Sequence, residues 1–400
     1  MSDYRVLHLL PDLSVGGGQM MVLRLASALR QKRCAVIVAF CKSDRAMSAE
    51  YGRAGIPIFD LGMSTFTHIA KAERKLEKIA RDNDVSMIHT HGTKYDKILG
   101  HILSRRLNIP EVTTLHGMPP IYKVERLSLR NLARVCWERA AFKLDWWLAR
   151  NRLDGVTAVS QPVLEAWRPR LNQADYKRTR KEQVIHWGIE ANEFPLLPVE
   201  TISSIRQEIA GAAQTPSPLL VSVGRLHAGK NMRALPLAMK TVVARWPRAL
   251  LCIVGDGDER KILDRMATDL GISANIRFLG ERHDVPSLLA AADLSIFPSL
   301  IEGFGMVALE SLAAGTPVIC FDLPSLRTLR HDTGAFRIAH TTTPEALGTT
   351  ITCAIGDKQL SAEARRAQKI VFDMWTMDQT ASAYDGFYRA ILAKTQNLCV

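Results

Sequence analysis

The stretch FPSLIEGFGMVALESLAAGTPVIC, residues 297–320, decides how the second half of this chain is interpreted. It begins as the end of an apolar strand, passes through a glycine-rich loop, and continues as a helical pattern before a second apolar strand. Two carboxylates, Glu302 and Glu310, stand in it with seven residues between them. Because the N-terminus of a helix presents unpaired N–H groups, the turn Gly303–Gly305 predicts an anion site beside these acids.

Short apolar runs alternate with longer helical patterns along both halves of the chain. In the first half the runs are YRVLHLL, CAVIVAFC, VSMIHTH, EVTTLHG and DGVTAVS. In the second half they are PLLVSVGRL, ALLCIVGDGDE, ANIRFLG, DLSIFPS and TPVICFD. This alternation is typical of βαβ units in a parallel sheet, and the length of 400 residues predicts two such domains. We expect the join between Trp187 and Pro218.

Positive charge is concentrated in the first half. Residues 1–190 carry 31 Lys and Arg against 19 Asp and Glu, which accounts for the whole formal net charge of +12. This asymmetry indicates an anionic partner for that half: a membrane surface, a nucleic acid or a phosphorylated substrate. Segment 122–181 is both basic and aromatic. It is either a solvated helix packed on the sheet or an interfacial helix that dips Phe142, Trp146 and Trp147 towards lipid.

Targeting and redox features predict a cytosolic protein. The start of the sequence has no basic flank followed by a long apolar core, and no window has about 18 uninterrupted apolar residues, so we expect neither a secretory signal nor a spanning helix. The seven cysteines are scattered without a C-x-x-C pair, which is typical of reduced thiols.

Three further loops follow predicted strands and suit a phosphorylated ligand. SVGGGQMM places Gly17 and Gly18 at the start of a helix, although a plain tight turn explains it equally well. In VGRLHAGKN, Arg225 and Lys230 flank a loop. The guanidinium of Arg225 can form a bidentate contact and the ammonium of Lys230 is a point charge, so the pair suits a diphosphate. The alternative is that both are exposed basic residues without a ligand. VGDGDE, which begins at Val254, forms a glycine turn at Gly255 over which a nucleotide could lie, or a turn without a ligand.

Taken together, these elements resemble the family 4 retaining glycosyltransferases of the GT-B fold. The resemblance is carried by VGRLHAGKN, VGDGDE, FLG, the E-x7-E pair in FPSLIEGFGMVALESLAAGTPVI, and VTAVS…HWGIEANEF. GGGQ, IHTHG and TLHG match more loosely. It covers the chain from residue 4 to about residue 390. One departure is Gln19, which stands where the family commonly has an acidic residue after the glycines.

The resemblance implies an α/β fold of GT-B type, with two Rossmann-like domains facing each other across a cleft. Residues 1–190 would be the basic, acceptor-binding domain, with a possible membrane contact. Residues 191–375 would bind the nucleotide sugar. Residues 376–400 would form a helix that returns to the N-terminal domain.

The resemblance also implies roles for individual residues. Arg225 and Lys230 would bind the diphosphate, Glu310 the ribose hydroxyls, and Glu302 the transferred sugar. His116, in TLHG, would contact the donor sugar or the reacting centre. The remaining implied contacts to the donor come from Gly17, Gly18, Gly255, Leu279, Arg282, Gly303, Phe304 and Gly305. The other histidines near strand ends, His8, His89 and His91, are each interpreted as structural and are not spaced as a metal site.

The implied activity is that of a retaining hexosyltransferase that moves a sugar from a nucleotide-diphosphate sugar, of UDP or GDP type, to a saccharide or lipid-linked acceptor. Cell-envelope polysaccharide or lipopolysaccharide synthesis is the expected context, in the cytoplasm or at the inner membrane face, where contact with an anionic surface is possible. No metal or other cofactor is expected, since two cations and a helix N-terminus can stabilise a departing diphosphate.

Three alternatives remain open from the sequence. A nucleotide-sugar epimerase on the same architecture would turn over its donor without an acceptor. A basic nucleic-acid-binding protein would show a salt-dependent gel shift, although no helix-turn-helix, zinc or RNP motif supports it and no nucleic acid is expected. The third alternative is a transferase-like subunit without activity. This alternative is disfavoured because the chain retains the predicted site residues Arg225, Lys230, Glu302 and Glu310.

Overall fold

The chain folds into two compact units in this computed structural model. Unit 1 comprises Met1–Gly188 with Met377–Val400, and unit 2 comprises Ile189–Thr376. The sequence analysis placed the corresponding divisions after residues 190 and 375. The residues that the structure describes are 3–14, 16–42, 44–63, 65–92, 95–119, 153–171, 181–211 and 217–397.

Unit 1 contains a parallel sheet of seven strands in the order β3-β2-β1-β4-β5-β6-β7. The strands are β1 Tyr4–Leu10, β2 Cys34–Phe40, β3 Ile58–Asp60, β4 Met87–Thr90, β5 Glu111–Leu115, β6 Gly155–Ala158 and β7 Lys181–Val184. The helices described in this unit are α1 Gly17–Gln31, α2 Ser48–Arg53, α3 Ile69–Asp82, α4 Tyr95–Leu107, α5 Gln161–Leu171 and α14 Met377–Asn397.

Unit 2 contains a parallel sheet of six strands in the order β10-β9-β8-β11-β12-β13. The strands are β8 Leu219–Val223, β9 Leu250–Val254, β10 Ile276–Gly280, β11 Leu294–Phe297, β12 Val318–Phe321 and β13 Phe336–Ala339. The helices are α6 Val199–Ala210, α7 Ala234–Arg245, α8 Arg260–Asp269, α9 Val285–Ala291, α10 Met306–Ala313, α11 Arg327–Thr333, α12 Pro344–Ile355 and α13 Lys358–Met374.

The central strands are buried along most of their length because helices cover both faces of each sheet. Every residue of β9, β11 and β12 is buried. In unit 2 the alternate residues of these strands divide between two apolar clusters: Leu251 and Ile253 belong to one, and Leu250 and Cys252 to the other. The predicted α/β architecture with parallel sheets is therefore confirmed for both units.

The ten apolar runs chosen from the sequence correspond to ten strands of the structure, and the other three strands were missed. These are the short strands β3, β7 and β13, which lie at the edges of the two sheets. At the edge of a sheet a strand pairs on one side only, so its sequence need not be a continuous apolar run. β7, with the sequence KEQV, has no fully buried residue.

One helix boundary was predicted wrongly. The helical pattern GKNMRALPLAMKTVVARW predicts a helix from Gly229 onwards, but α7 begins at Ala234 and is preceded by a single 3-10 turn, Ala228–Lys230. Asn231 ends that turn in the left-handed region, with φ of 53°. Left-handed backbone cannot continue a right-handed helix, so the helix starts anew beyond it.

Much of the basic segment 122–181 lies outside the described residues, including Phe142, Trp146 and Trp147. The two interpretations of that segment both remain predictions. Among the residues that are described, no helix is long and apolar enough to cross a membrane. Of the cysteines described, Cys353 is exposed and the others are buried free thiols: Cys34, Cys41, Cys252 and Cys320.

Candidate active site

The sheet of unit 2 reverses its strand order between β8 and β11. From β8 the chain proceeds outward through β9 and β10, and from β11 it proceeds the other way through β12 and β13. Loops that leave neighbouring strands at such a point form the crevice in which open α/β sheets bind ligands. The loop after β8 carries Arg225 and Lys230, and the loop after β11 carries Glu302 and Gly303–Gly305. The fold thus brings these predicted residues to one place.

Two of the predicted residues contact each other directly. Nζ of Lys230 lies 2.5 Å from Oε1 of Glu302. The lysine side chain is 34% exposed and the glutamate side chain 11%, so the pair is partly shielded from water. An ammonium has three N–H donors, and this contact uses one of them. A bound anion can therefore share Lys230 with Glu302 without breaking the pair. The sequence analysis assigned both residues to one ligand but did not predict the ion pair.

Asn231 joins the two loops and was missed by the sequence analysis. Its amide Nδ2 donates a hydrogen bond of 3.1 Å to the carbonyl oxygen of Pro298, in the loop after β11. The available signal was an asparagine directly after Lys230 in a turn, because asparagine tolerates the left-handed conformation and bonds to nearby backbone. The loop after β8 is therefore tied to the loop after β11 at two adjacent residues, Lys230 and Asn231.

Arg225 is exposed, and no hydrogen bond or ion pair to its guanidinium occurs within the described parts of the chain.

The backbone next to Arg225 lies in a close-packed turn. A Cβ atom at Gly255 would come within 2.2 Å of the carbonyl oxygen of Gly224, and Gly255 itself has φ of 118°. The N–H of Gly255 donates a bond of 2.7 Å to the carbonyl of Gly280. Glycine is required at position 255 because the loops after β8 and β9 approach backbone to backbone.

The sequence predicts that Glu310 lies two turns into a helix that starts near Gly305. It is instead the fifth residue of α10, one turn into the helix. It is half-buried. Gly305 precedes the helix with φ of 90°, and a Cβ there would come within 2.4 Å of the side chain of Leu326. Phe304 is buried, with its ring centroid 5.6 Å from that of Trp375. The ring of Phe304 therefore belongs to the core, and the contact of its backbone amide with a ligand stays a prediction.

Arg282 was predicted to lie near a nucleotide base, together with Leu279. In the structure its guanidinium forms two bonds to the Asp284 carboxylate, of 2.8 and 2.7 Å, and a longer one to Glu208. This ion pair lowers the pKa of Asp284. Since Leu279 is half-buried at the end of β10 and the Arg282 side chain is already paired, backbone groups are the better candidates for contact with a base.

In unit 1, Gly17 and Gly18 are the first residues of α1, directly after the loop from β1. No atom lies within 4 Å of a Cβ built at either glycine. The neighbouring Gln19 donates a bond of 2.8 Å to the carboxylate of Asp12, which also accepts a bond from Ser14. Gln19, which replaces the acidic residue common in the family, is thus bonded through its amide to the loop after β1. The first residues of α1 stay accessible to a ligand.

Four histidines of unit 1 form one cluster, called here the histidine network: His8, His89, His91 and His116. Nδ1 of His8 lies 2.8 Å from Nε2 of His91, and Nδ1 of His91 lies 3.0 Å from Nε2 of His116. The ring of His89 lies beside that of His91, with centroids 4.0 Å apart. The ring of His116 stacks on Trp187 at 5.7 Å and 13°. These residues were interpreted one by one from the sequence, and the network was not predicted.

His89 is anchored by hydroxyl groups on both sides. Its Nδ1 lies 2.5 Å from the hydroxyl of Tyr388, on α14, and its Nε2 lies 2.7 Å from that of Thr114, on β5. His8 and His89 are also direct neighbours across the parallel strands β1 and β4. The structural role expected for His89 fits these contacts.

Burial keeps the network uncharged. It lowers the pKa of His8 to about 3, and burial together with the nearby Lys97 ammonium lowers that of His116 to about 4. Burial also lowers the pKa values of His89 and His91 well below the ordinary range. All four rings are therefore neutral at physiological pH, and each carries one N–H and one bare nitrogen.

The three histidines His8, His89 and His91 could in principle hold a metal ion, because their ligand nitrogens lie within 4.8 Å of one another. However, each of these rings already uses at least one nitrogen in a hydrogen bond within the network or to a hydroxyl, and His89 and His91 use both. The donor set therefore fits a hydrogen-bonded network better than a metal centre.

Comparison with known protein families agrees with the two-unit architecture. The family model described as Glycosyltransferase Family 4 matches residues 15–192, and the one described as Glycosyl transferases group 1 matches residues 205–370. Together they account for most of both units. The chain belongs to the family 4 glycosyltransferases.

Among characterised relatives of this glycosyltransferase is the alpha-monoglucosyldiacylglycerol synthase of Streptococcus pneumoniae. It is 30% identical over 265 residues, which are 64% of this chain and 56% of that enzyme. The lipopolysaccharide core biosynthesis glycosyltransferase LpsE of Rhizobium meliloti is 43% identical over 103 residues, which are 26% of this chain and 29% of that protein. The alignments thus span about half or less of these relatives.

A similar solved structure is that of HepE from Anabaena in complex with UDP and glucose. It superposes with a TM-score of 0.79 at 22% identity, covering 97% of this glycosyltransferase and 100% of HepE. This likeness confirms the GT-B fold predicted from the sequence.

We expect Gly255→Ala to lower the free energy of unfolding by about 1–3 kcal/mol, because the added Cβ collides with the Gly224 carbonyl in a strained conformation. Gly271→Ala is the matched control: Gly271 also has positive φ, of 70°, but no atom lies within 4 Å of its Cβ position. Urea unfolding of both variants measures the difference. Equal losses would mean that the close approach at Gly255 contributes nothing.

We also expect the protein to lose stability as the pH falls below 6.5. Above that pH the four histidines of the network are neutral in both the folded and unfolded states, whereas below it they take up protons only in the unfolded chain. Each buried histidine then removes about 1.4 kcal/mol per pH unit until its own folded-state pKa is reached. The variant His8→Asn should reduce the slope of unfolding free energy against pH by that amount between pH 6.5 and 4.

The control for this experiment is His331→Asn, since His331 is exposed. Because His331 is not part of the histidine network, a loss of slope in this variant as large as that in His8→Asn would show that the effect is not specific to the network. An unchanged slope in His8→Asn would show that His8 titrates normally in the folded state.

Proposed function

We propose that this glycosyltransferase is a retaining hexosyltransferase that moves a sugar from a nucleotide-diphosphate sugar to a saccharide or lipid-linked acceptor. The observation that carries the proposal is the contact between Lys230 and Glu302 at the strand reversal of unit 2, with the exposed Arg225 on the same loop as Lys230. Two cations and an acid at that position suit a ligand with a negatively charged diphosphate and a hydroxyl-rich sugar.

The two cations act on the leaving group. Cleavage of the bond between the sugar and its phosphate places negative charge on the departing diphosphate. The guanidinium of Arg225 can form a bidentate contact with phosphate oxygens, and the ammonium of Lys230 acts as a point charge. Because Glu302 and Asn231 hold the Lys230 loop before the ligand arrives, little reorganisation is needed when the charge develops.

The glycine turn and α10 provide the remaining donor contacts. Amides at Gly303, Phe304 and Gly305 face the sugar together with the Glu302 carboxylate, and Glu310 accepts hydrogen bonds from the ribose hydroxyls. The base lies against the backbone near residues 279–282, with Gly255 beneath it. UDP and GDP donors both remain candidates; the HepE structure, which contains UDP and glucose, supports testing UDP first.

The sugar keeps its anomeric configuration through displacement on the same face as the leaving diphosphate. We assign no protein nucleophile to this step. Charge on the diphosphate is balanced by Arg225 and Lys230, and we propose that no metal ion is needed. In unit 1 the open start of α1 at Gly17 and Gly18 suits a phosphate group, and His116 is proposed to contact a sugar.

The acceptor is proposed to be part of a cell-envelope glycolipid or polysaccharide. The names of the two relatives support this: one makes a glucosylated diacylglycerol, and the other acts in lipopolysaccharide core synthesis. The net charge of +12 carried by residues 1–190 suits such an acceptor at an anionic membrane surface.

A nucleoside diphosphate should stabilise the protein against heat. UDP, GDP, ADP and CDP are each added in millimolar excess, and a ligand at about 100 times its Kd raises the free energy of unfolding by about 2.7 kcal/mol. We expect one diphosphate to shift the midpoint clearly. In Glu310→Ala, binding of that diphosphate should weaken by about 1–3 kcal/mol, because a charged hydrogen-bond partner is lost.

The control for Glu310→Ala is Glu345→Ala, an exposed acid at the start of α12. Its diphosphate affinity should equal that of the unchanged protein. If no diphosphate shifts the midpoint, the nucleotide-sugar proposal fails. If the donor is consumed as fast without an acceptor as with one, the epimerase alternative replaces it.

Lys230→Ala should lower kcat by about 100- to 1,000-fold, the range for removing one group that stabilises charge in a transition state. The loss should exceed the loss in donor affinity, since the charge on the diphosphate grows during the reaction. Steady-state release of the diphosphate measures both quantities. Lys240→Ala, an exposed lysine on α7, is the control. A change in KM without a change in kcat would show that Lys230 binds the donor but does not stabilise the transition state.

A further inference from the structure

We propose that His8 and His91 are positioning residues that fix which ring nitrogen of His116 carries its proton, so that His116 offers the sugar a hydrogen-bond donor. The inference rests on the proposed function only in taking His116 as a group that contacts the reacting sugar. The arrangement of the protons follows from unit 1 alone.

The three rings are linked in series by strand geometry. His8 lies on β1, His91 directly follows β4, and His116 directly follows β5, and these strands are consecutive neighbours in the sheet. The two links, of 2.8 and 3.0 Å, have the length of good hydrogen bonds. Each uses Nδ1 of one ring and Nε2 of the next, so the series has a direction.

Only two arrangements of protons satisfy both links when the rings are neutral. Either each Nδ1–H donates forward, from His8 to His91 and from His91 to His116, or each Nε2–H donates backward. The free end of the series decides between them. Nε2 of His8 is buried and has no hydrogen-bond partner in the described residues. The backward arrangement would bury an N–H there without an acceptor, whereas the forward one leaves only a bare lone pair.

Unpaired buried N–H groups are the rarer defect in native proteins, because a donor has a single hydrogen that must be satisfied. The forward arrangement is therefore favoured. In it, Nε2 of His116 accepts from His91, and the proton of His116 lies on Nδ1. Across the described ranges, no residue forms a hydrogen bond with Nδ1 of His116. That nitrogen is the one left for a substrate, and it is a donor.

This assignment gives His116 a defined chemical role. A donor at Nδ1 can bond to a sugar hydroxyl or a phosphate oxygen, but it cannot take a proton from the acceptor. His116 therefore binds and orients the sugar and does not act as a general base. Stacking on Trp187 fixes the plane of the ring, so that the donor direction is set by packing as well as by His91.

The first test is nitrogen NMR of the full chain with 15N-labelled histidine. The signals of His116 are identified as those missing in His116→Ala. We expect a protonated Nδ1 and an unprotonated Nε2 in the unchanged protein at neutral pH. A proton on Nε2 of His116 would overturn the proposal directly. This measurement needs no substrate, so it decides the tautomer even if the proposed activity fails.

The second test compares His91→Asn with His91→Gln. The asparagine amide takes the place of Nδ1 and can still donate to His116, whereas the glutamine amide reaches the place of Nε2 and leaves His116 without its donor. We expect His91→Gln to lower kcat by about 10- to 100-fold, the range for loss of a residue that orients a functional group. His91→Asn should recover most of that loss.

Activity is measured as release of UDP from UDP-glucose and of GDP from GDP-mannose. The affinity for the diphosphate that is released should be the same in both variants. Equal activity in the two variants would show that His91 is merely structural. An absence of diphosphate release by the unchanged protein, with the expected tautomer present, would count against the proposed function and leave the proton assignment standing.

Discussion

Parallel strands impose the constraint on which both candidate site regions depend, because all their carboxyl ends lie along one edge of the sheet. In each unit the strand order reverses at one point, between β1 and β4 in unit 1 and between β8 and β11 in unit 2. At that point two loops leave the sheet side by side without a crossing helix between them. The pairing register of the strands then determines which residues face each other. His8 lies opposite His89 in unit 1, and Ser295 lies opposite Val221 in unit 2.

The two candidate site regions differ in their electrostatics although both lie on the same kind of parallel sheet. In unit 2 the groups are charged and partly exposed, and Lys230 is held by the carboxylate of Glu302 while it remains able to meet an anion. In unit 1 three of the histidines are buried and His116 is half-buried, all four are neutral, and their order comes from the direction of hydrogen bonds. A charged pair is suited to balancing charge that develops during a reaction. A neutral series is suited to holding one atom in a fixed protonation state.

The repeating βα pattern and the position of the glycine turns could be predicted from the sequence, because each is a local property of a short segment. The site contacts could not. Lys230 and Glu302 are 72 residues apart and His8 and His91 are 83 apart, so their meeting depends on strand order, which local patterns do not specify. Asn231 was missed for the same reason, since its partner Pro298 belongs to another loop. The resemblance to a known family identified residues by motif, and it carried no information about these pairings.

The last helix, α14, has a consequence for how the protein is made. It belongs to unit 1, where Tyr388 bonds to His89 across 299 residues of sequence and Tyr4 bonds to Asp385 across 381. Unit 2 is encoded without interruption between the two parts of unit 1. During synthesis, therefore, unit 2 can complete its core as soon as residue 376 has left the ribosome. Strands β1 and β4 gain their contacts with α14 only after unit 2 has been made, so unit 1 is completed after unit 2.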